Sequence, residues 1–238
     1  MKNLNSHPCR ASQGSQRNKE LNMNTAMKIG IIGSGIVAQT LAAGFLKHGH
    51  AVMLGTREPA TLADFVAAHP QVRVGSAADA AAFAELAVLA VKGTAAVAAA
   101  SAVTEQLANK IVIDTTNPIA DAAPTDGVLS YFTGPNDSLL ERLQAACPQV
   151  KFVKAFNSVG AAGMVNPVWA GGPPTMFIAG DDAPAKAVVT DLLTQFGWDT
   201  ADMGRSTSGR AIEPLCMLWC LPGILNNQWS HAFKLLRV

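Results

Sequence analysis

From residue 28 onward, short apolar runs alternate with longer segments whose apolar positions recur at helical spacing. The runs KIGIIG (28–33), AVMLG (51–55), VRV (72–74), LAVLAV (86–91), KIVID (110–114) and VKFVKA (150–155) read as strands. Between them, helices are expected over residues 36–47, 61–68 (stopping before Pro70), 76–83, 94–107 and 138–146. Strands that are apolar on both faces and alternate with helices imply a parallel sheet covered on both sides, joined by right-handed crossovers. The stretch TTNPIADAAPTDG (115–127) reads as a loop, because Pro118 and Pro124 interrupt any helix. Residues 157–174 lapse into Gly and Pro. A strand (175–179), a helix over 180–197 and a short strand (198–202) then follow. Asp182 is placed to cap that helix, with Pro184 in its first turn. From Arg210 the pattern predicts two helical pieces, with Pro214 in the first turn and Pro222 separating them. The expected fold is α/β, a Rossmann-type doubly wound, mostly parallel sheet with a short C-terminal α+β and helical extension.

The organisation that follows is a dinucleotide-binding part over 27–157 and a C-terminal part over 158–238. Residues 1–26 are polar and aperiodic and read as a disordered extension, with Met23 and Met27 as alternative starts before the first strand. Hydrophobic residues make up 49% of the 238 residues, charged residues 15%, and the net charge is +1. That balance supplies a large core and gives no electrostatic basis for a nucleic-acid partner. The longest late apolar stretch, 215–225, is interrupted by Pro222 and is too short to span a bilayer, so no membrane partner is expected. The early residues also lack the apolar segment of a secretory leader. Cys9, Cys147, Cys216 and Cys220 show no redox spacing. Cys216 and Cys220 lie one helical turn apart without a histidine nearby, and read as buried thiols of an apolar helix rather than ligands. Reduced thiols fit a cytoplasmic protein. No metal cluster stands out among His7, His48, His50, His69 and His231.

The chemistry begins at Gly33, Gly35 and Ala38, the pattern G-x-G-x-x-A between a strand and a helix. Gly33 permits a sharp turn, Gly35 leaves room for a pyrophosphate against the backbone, and Ala38 lets the helix pack closely. The helix N-terminus then offers N–H groups and partial positive charge to phosphates. At the end of the second strand an NAD-specific fold carries an acidic residue for the ribose hydroxyls. Here Gly55-Thr56-Arg57 stands instead. Thr56 can donate to a 2′-phosphate and Arg57 can fork onto it, which favours NADP(H), although Arg57 can equally pair with Glu58 on the surface. The only tyrosine, Tyr131, has Pro135 where a Tyr-x-x-x-Lys dehydrogenase keeps its lysine. No side-chain acid or base is assigned: hydride would move by cofactor positioning, to an acceptor such as a flavin whose own ring takes the electrons.

The blocks IGIIGSGIVAQTLAAGFLKHGHAVMLGTREP, VIDTTNPI, VKAFNSVGA, FIAGDDAPAK and AIEPLCMLW, in this order, resemble the coenzyme F-420-dependent NADP oxidoreductase family. They are also similar to the cytoplasmic domain of the six-transmembrane epithelial metalloreductases, whose membrane portion has no counterpart here, so haem-linked metal reduction is not expected. The resemblance covers residues 28–218 or so. It implies NADPH across the switch point of the sheet, with the nicotinamide meeting a flavin or deazaflavin (F-420). It places Gly33, Ser34, Gly35, Ile36 and Val37 under the pyrophosphate, and Thr56 and Arg57 at the 2′-phosphate. Ala90, Val91 and Lys92 would run along the ribose and linker, and Asn117, Pro118, Ala155, Phe156 and Asn157 would flank the nicotinamide. On the residues alone, Asn117 also reads as a turn residue before proline, and Asn157 as a strand-end cap. The apolar tail (Leu215, Met217, Leu218, Trp219, Leu221 and Trp229) can wrap its own subunit or pair two subunits; the resemblance implies a homodimer. An alternative function is a non-catalytic NADP(H) sensor, which would use residues 157–174 to close on the cofactor rather than as a wall of an open acceptor site.

Overall fold

Strands whose central residues are buried on both faces can only be satisfied between two helical layers. The computed structural model, which describes residues 26–237, has that architecture. Residues 1–25 of the expected extension lie outside the described residues. Strands β1 (Lys28–Ile32), β2 (Ala51–Gly55), β3 (Arg73–Gly75), β4 (Leu86–Leu89), β5 (Ile111–Asp114) and β6 (Lys151–Lys154) form one sheet. Its order is β3-β2-β1-β4-β5-β6, and every pair is parallel. Two half-sheets wound outward from β1 and β4 leave a crevice at the carboxyl ends where the winding reverses, the Rossmann-type arrangement.

The residues of β1 show how the layers divide. Ile29 and Ile31 enter one core with Leu41 and Phe45 of α1 (Ile36–Lys47), and with Val189 and Leu193 of α7 (Ala183–Gln195). Ile32 enters the other, against α3 (Ala77–Phe83), α4 (Gly93–Ser101), α5 (Thr104–Leu107) and α6 (Leu139–Ala146). The short α2 (Ala63–Ala68) follows a 3-10 turn, Pro59–Leu62, and only Leu62 of this region is fully buried. The Ala-rich segment expected as one helix over 94–107 is two, α4 and α5, broken at Ala102 and Val103, and both bury residues in the same core, Ala96 and Ala100 from the first and Leu107 from the second.

β7 (Thr175–Ile178) and β8 (Asp199–Asp202) make a separate parallel pair, linked to the main sheet by an antiparallel bridge between Lys154 and Ala179. Asp182 caps the intervening α7 as expected, its Oδ1 accepting the N–H of Ala185 at 2.8 Å. The tail departs from expectation. α8 (Gly209–Ile212) is followed by α9 (Pro214–Asn226), which runs straight through Pro222. Proline forfeits one helical hydrogen bond. Here, buried Trp219 and the seating of Gly223 against the Trp229 ring hold the helix together across the gap. Past Asn227, whose φ of +53° ends the helix, the chain folds back over its own subunit. Phe233 O accepts the N–H of Thr175 (2.9 Å), and His231 O accepts the Trp219 indole N–H (2.9 Å).

Candidate functional site

The loop between β1 and α1 is built around two glycines with opposite requirements. Gly33 has φ of +133°, and a Cβ there would lie 2.2 Å from the carbonyl oxygen of Ala90. Only glycine closes that turn against the end of β4. Gly35, the N-cap of α1, has φ of −73°, open to any residue, and a Cβ there would meet nothing within 4 Å. The space above it is free. No side chain caps α1, and no acidic residue stands in its first turn. The helix therefore directs backbone N–H groups and partial positive charge into open space, a site suited to an anion. Ile36 at that mouth is 69% exposed, Val37 is half-buried, and Ala38 is fully buried against the sheet.

β2 ends beside this turn. Thr56 Oγ1 donates to Ser34 Oγ at 3.1 Å and accepts the N–H of Glu58 at 3.1 Å, joining the β2 turn to the glycine turn. Arg57 is exposed and, among the described residues, has neither an ion pair nor a side-chain hydrogen bond; the alternative pairing with Glu58 is not formed. A hydroxyl fixed to Ser34 and, one residue on, an exposed arginine without a partner among the described residues thus follow β2 beside the glycine turn.

Ala90, Val91 and Lys92 follow β4. Lys92 is exposed, 3.9 Å from Asp121, an ion pair too solvated to contribute much. Gly93, which begins α4, is a site residue that the sequence pattern did not reveal: a Cβ would lie 1.8 Å from Asn117 O, so the β4 and β5 turns touch backbone to backbone. Asn117 Nδ2 donates to Asn157 O at 2.8 Å, and Asn157 Nδ2 donates to Asn117 Oδ1 at 3.3 Å and to Ile212 O at 3.0 Å. Asn157 Oδ1 is buried without a partner among the described residues. Pro118 and Ala155 are buried and shape this region through the backbone. Phe156, between Ala155 and Asn157, is buried with φ of +62°, its N–H aimed at Met176 Sδ (3.0 Å). A bulky residue in the left-handed region is strained, and such strain concentrates at functional sites. The fifteen expected residues therefore all lie at the carboxyl edge of the sheet. Direct contacts join them into two groups, Gly33–Ser34–Thr56–Ala90 and Asn117–Asn157.

Beneath the second group lies a buried charge cluster absent from the sequence reading. Lys154 Nζ, fully buried at the end of β6, contacts Asp114 Oδ2 at 2.6 Å, Glu213 Oε1 at 3.0 Å and Thr116 O at 2.8 Å. Burial alone would push its ammonium down, but the carboxylates of Asp114 and Glu213 more than offset this and hold it above the ordinary lysine value. Asp114 Oδ1 accepts the N–H and Oγ1–H of Thr116, and Glu213 accepts the N–H groups of Leu139 and Leu140. Tyr131 Oη donates to Glu213 O at 2.9 Å, and burial drives its phenol far above the usual range. Cys216 and Cys220 are free thiols on α9, Cys216 buried and Cys220 half-buried, in keeping with their packing role. Among the described residues, no helix is long and apolar enough to cross a membrane.

The cradle over Gly35, the uncapped α1 and the orphaned Asn157 Oδ1 are donors, acceptors and space of the kind a dinucleotide needs. Together with the sheet order they define a Rossmann-type fold of the kind that binds dinucleotides. The model of the family described as NADP oxidoreductase, coenzyme F420-dependent, matches residues 28–118. A provisionally named F420-dependent NADP reductase from Arthrobacter sp. FB24 is 37% identical, with a TM-score of 0.83 over 89% of this chain and 100% of that one. The chain belongs to the coenzyme F420-dependent NADP oxidoreductase family. The metalloreductase STEAP3 of Rattus norvegicus is 31% identical over 210 residues, which is 84% of this chain and 39% of that protein. The chain thus spans about two fifths of that curated relative's length. The hypothetical protein SMa0349 from Sinorhizobium meliloti shares the fold, at 22% identity and a TM-score of 0.64 over 90% of this chain and 95% of that one.

Proposed function

We propose that this chain binds NADP(H) along the carboxyl edge of its sheet and passes hydride between the nicotinamide and a flavin or deazaflavin acceptor. The observation that carries the reading is the pairing of open space over Gly35 with an Arg57, just past the end of β2, that is unpartnered among the described residues. The N–H groups of α1 at Ile36 and Val37 would hold the pyrophosphate. Ser34 and Thr56 line the path to the 2′-phosphate, where Arg57 supplies a charge-assisted fork. Ala90, Val91 and Lys92 would border the ribose and linker. Asn157 Oδ1 would accept from the carboxamide, held in place by Asn117 and Ile212. The bound nicotinamide supplies or takes the hydride. The protein's share is to orient that ring, keep water from its face and leave the electrons to the acceptor's own ring. The name carried by the Arthrobacter relative supports a deazaflavin acceptor. Exposed Leu218 and Leu225 on α9 support a homodimer through the C-terminal helices, and the free thiols support a cytoplasmic setting.

The acceptor is tested by following NADPH oxidation with FMN, FAD, riboflavin, F-420 and ferric chelates supplied in turn. Turnover with a flavin or deazaflavin is expected. Tight NADPH binding without turnover on any of them would point instead to the NADP(H) sensor.

Arg57 provides the test of the cofactor. A guanidinium on a phosphate dianion contributes about 1.5–3 kcal/mol, so Arg57→Ala should weaken NADPH roughly 10- to 150-fold. NADH, lacking the phosphate, should change little. Fluorescence titration of both cofactors decides it: equal losses would mean that Arg57 supports the fold, and a wild type that prefers NADH would end the NADP assignment.

A further inference from the structure

The cluster of Asp114, Lys154 and Glu213 is out of place in a core built for stability. A buried ion pair recovers little more than its desolvation cost, and apolar replacements of similar volume often do as well. What such a cluster supplies is direction. An ammonium has three donors, and Lys154 directs them at three acceptors from three parts of the chain: Asp114 at the end of β5, Thr116 O in the loop beyond it, and Glu213 between α8 and α9. Asp114 Oδ1 and both oxygens of Glu213 accept hydrogen bonds, and Asp114 Oδ2 meets the ammonium as an ion pair at 2.6 Å.

The neighbours of these acceptors matter most. Thr116 precedes Asn117. Glu213 follows Ile212, whose carbonyl accepts the Asn157 amide at 3.0 Å. Lys154 itself stands at the base of the strained Ala155–Phe156–Asn157 turn. Two arms, Thr116 and Glu213, thus end one residue away from Asn117 or from the Ile212 carbonyl that holds Asn157, and the third, Asp114, joins them through Thr116, while none of the cluster's hydrogen bonds reaches the glycine turn, Thr56 or Arg57.

We infer that Lys154 and Glu213 are positioning residues, which hold the Asn117 and Asn157 turns in register for the nicotinamide end of the cofactor and leave its adenosine end alone. The inference rests on the NADP(H) reading for the identity of the ligand. It is tested by binding two ligands to the full chain: NADPH, and 2′,5′-ADP, which carries the adenosine end without the nicotinamide.

Glu213→Gln must turn an amide NH2 toward a backbone N–H or toward Lys154, and so loses at least one arm. It should weaken NADPH about tenfold, the equivalent of one hydrogen bond to a charged group, and leave 2′,5′-ADP within about twofold. Asn157→Ala should show the same split. Adding it to Glu213→Gln should cost less than about threefold more, because the two act through one contact. Tyr131→Phe, which frees the Glu213 joint without touching a charge, should shift NADPH alone by about threefold and serves if Glu213→Gln fails to fold. Equal weakening of both ligands, or no change in either, overturns the inference while the cofactor reading stands. A wild type that binds neither ligand overturns both.

Discussion

Gly35→Asp should leave the protein as stable as before, or slightly more so, and lower its affinity for NADPH by more than about a hundredfold. The backbone at Gly35 has φ of −73° and ψ of −179°, and a Cβ there meets no atom within 4 Å. Aspartate is among the best N-caps, and its charge complements the positive end of α1. The same carboxylate would occupy the N–H groups reserved for the pyrophosphate and repel it. Loss of two charge-assisted hydrogen bonds, about 1.5–3 kcal/mol each, sets the size of the effect. Gly33→Ala should behave in the opposite way. Its φ of +133° and the Ala90 carbonyl 2.2 Å from the new Cβ should cost about 2–4 kcal/mol of stability. Urea unfolding and NADPH titration of both variants separate the two roles. A Gly35→Asp protein that still binds NADPH tightly would move the pyrophosphate elsewhere.

Lys154→Met should destabilise the fold by about 3–5 kcal/mol, because it leaves the carboxylates of Asp114 and Glu213 buried without their cation. Against a total of about 5–15 kcal/mol for an ordinary domain, that is a large share. The pH dependence has a definite sign. The ammonium is held above its ordinary value in the fold, so its contribution is fully present below the usual lysine range and disappears as pH rises through the folded value. Urea midpoints measured from neutral to strongly alkaline pH should therefore fall for the wild type in the alkaline range, with no matching alkaline fall in Lys154→Met. A loss under 1 kcal/mol on substitution would mean that the cluster relaxes or admits water.

Much of the fold was legible because burial on both faces leaves a continuous apolar strand such as LAVLAV, and because caps such as Asp182 announce helices locally. The glycine turn and the residues after each strand were legible for the same reason: parallel sheets place all their carboxyl ends together. What escaped depends on contacts between segments distant along the chain. Nothing local distinguishes Lys154, fully buried, from the partly exposed Lys151 in the same run KFVK. Gly93 carries no local mark of its role, which shows only when the β5 loop is set against it. Pro222 reads as a helix breaker, and only the packing of Trp219 and Trp229 explains why it is not one.

The folded-back tail has a consequence for the order in which the chain is made. The six strands of the main sheet are all present once residue 154 has been synthesised, and they can pair while the rest is still being added. The smaller sheet cannot finish so early. The Thr175 N–H finds its partner only when Phe233 emerges, and its hydroxyl oxygen accepts the N–H of Leu235, so these groups of β7 stay uncovered from the time the strand is made until nearly the last residues. An uncovered strand edge is where other chains add. In this protein the interval of greatest exposure to misassembly therefore comes late, and it closes only when residues 233–235 reach β7.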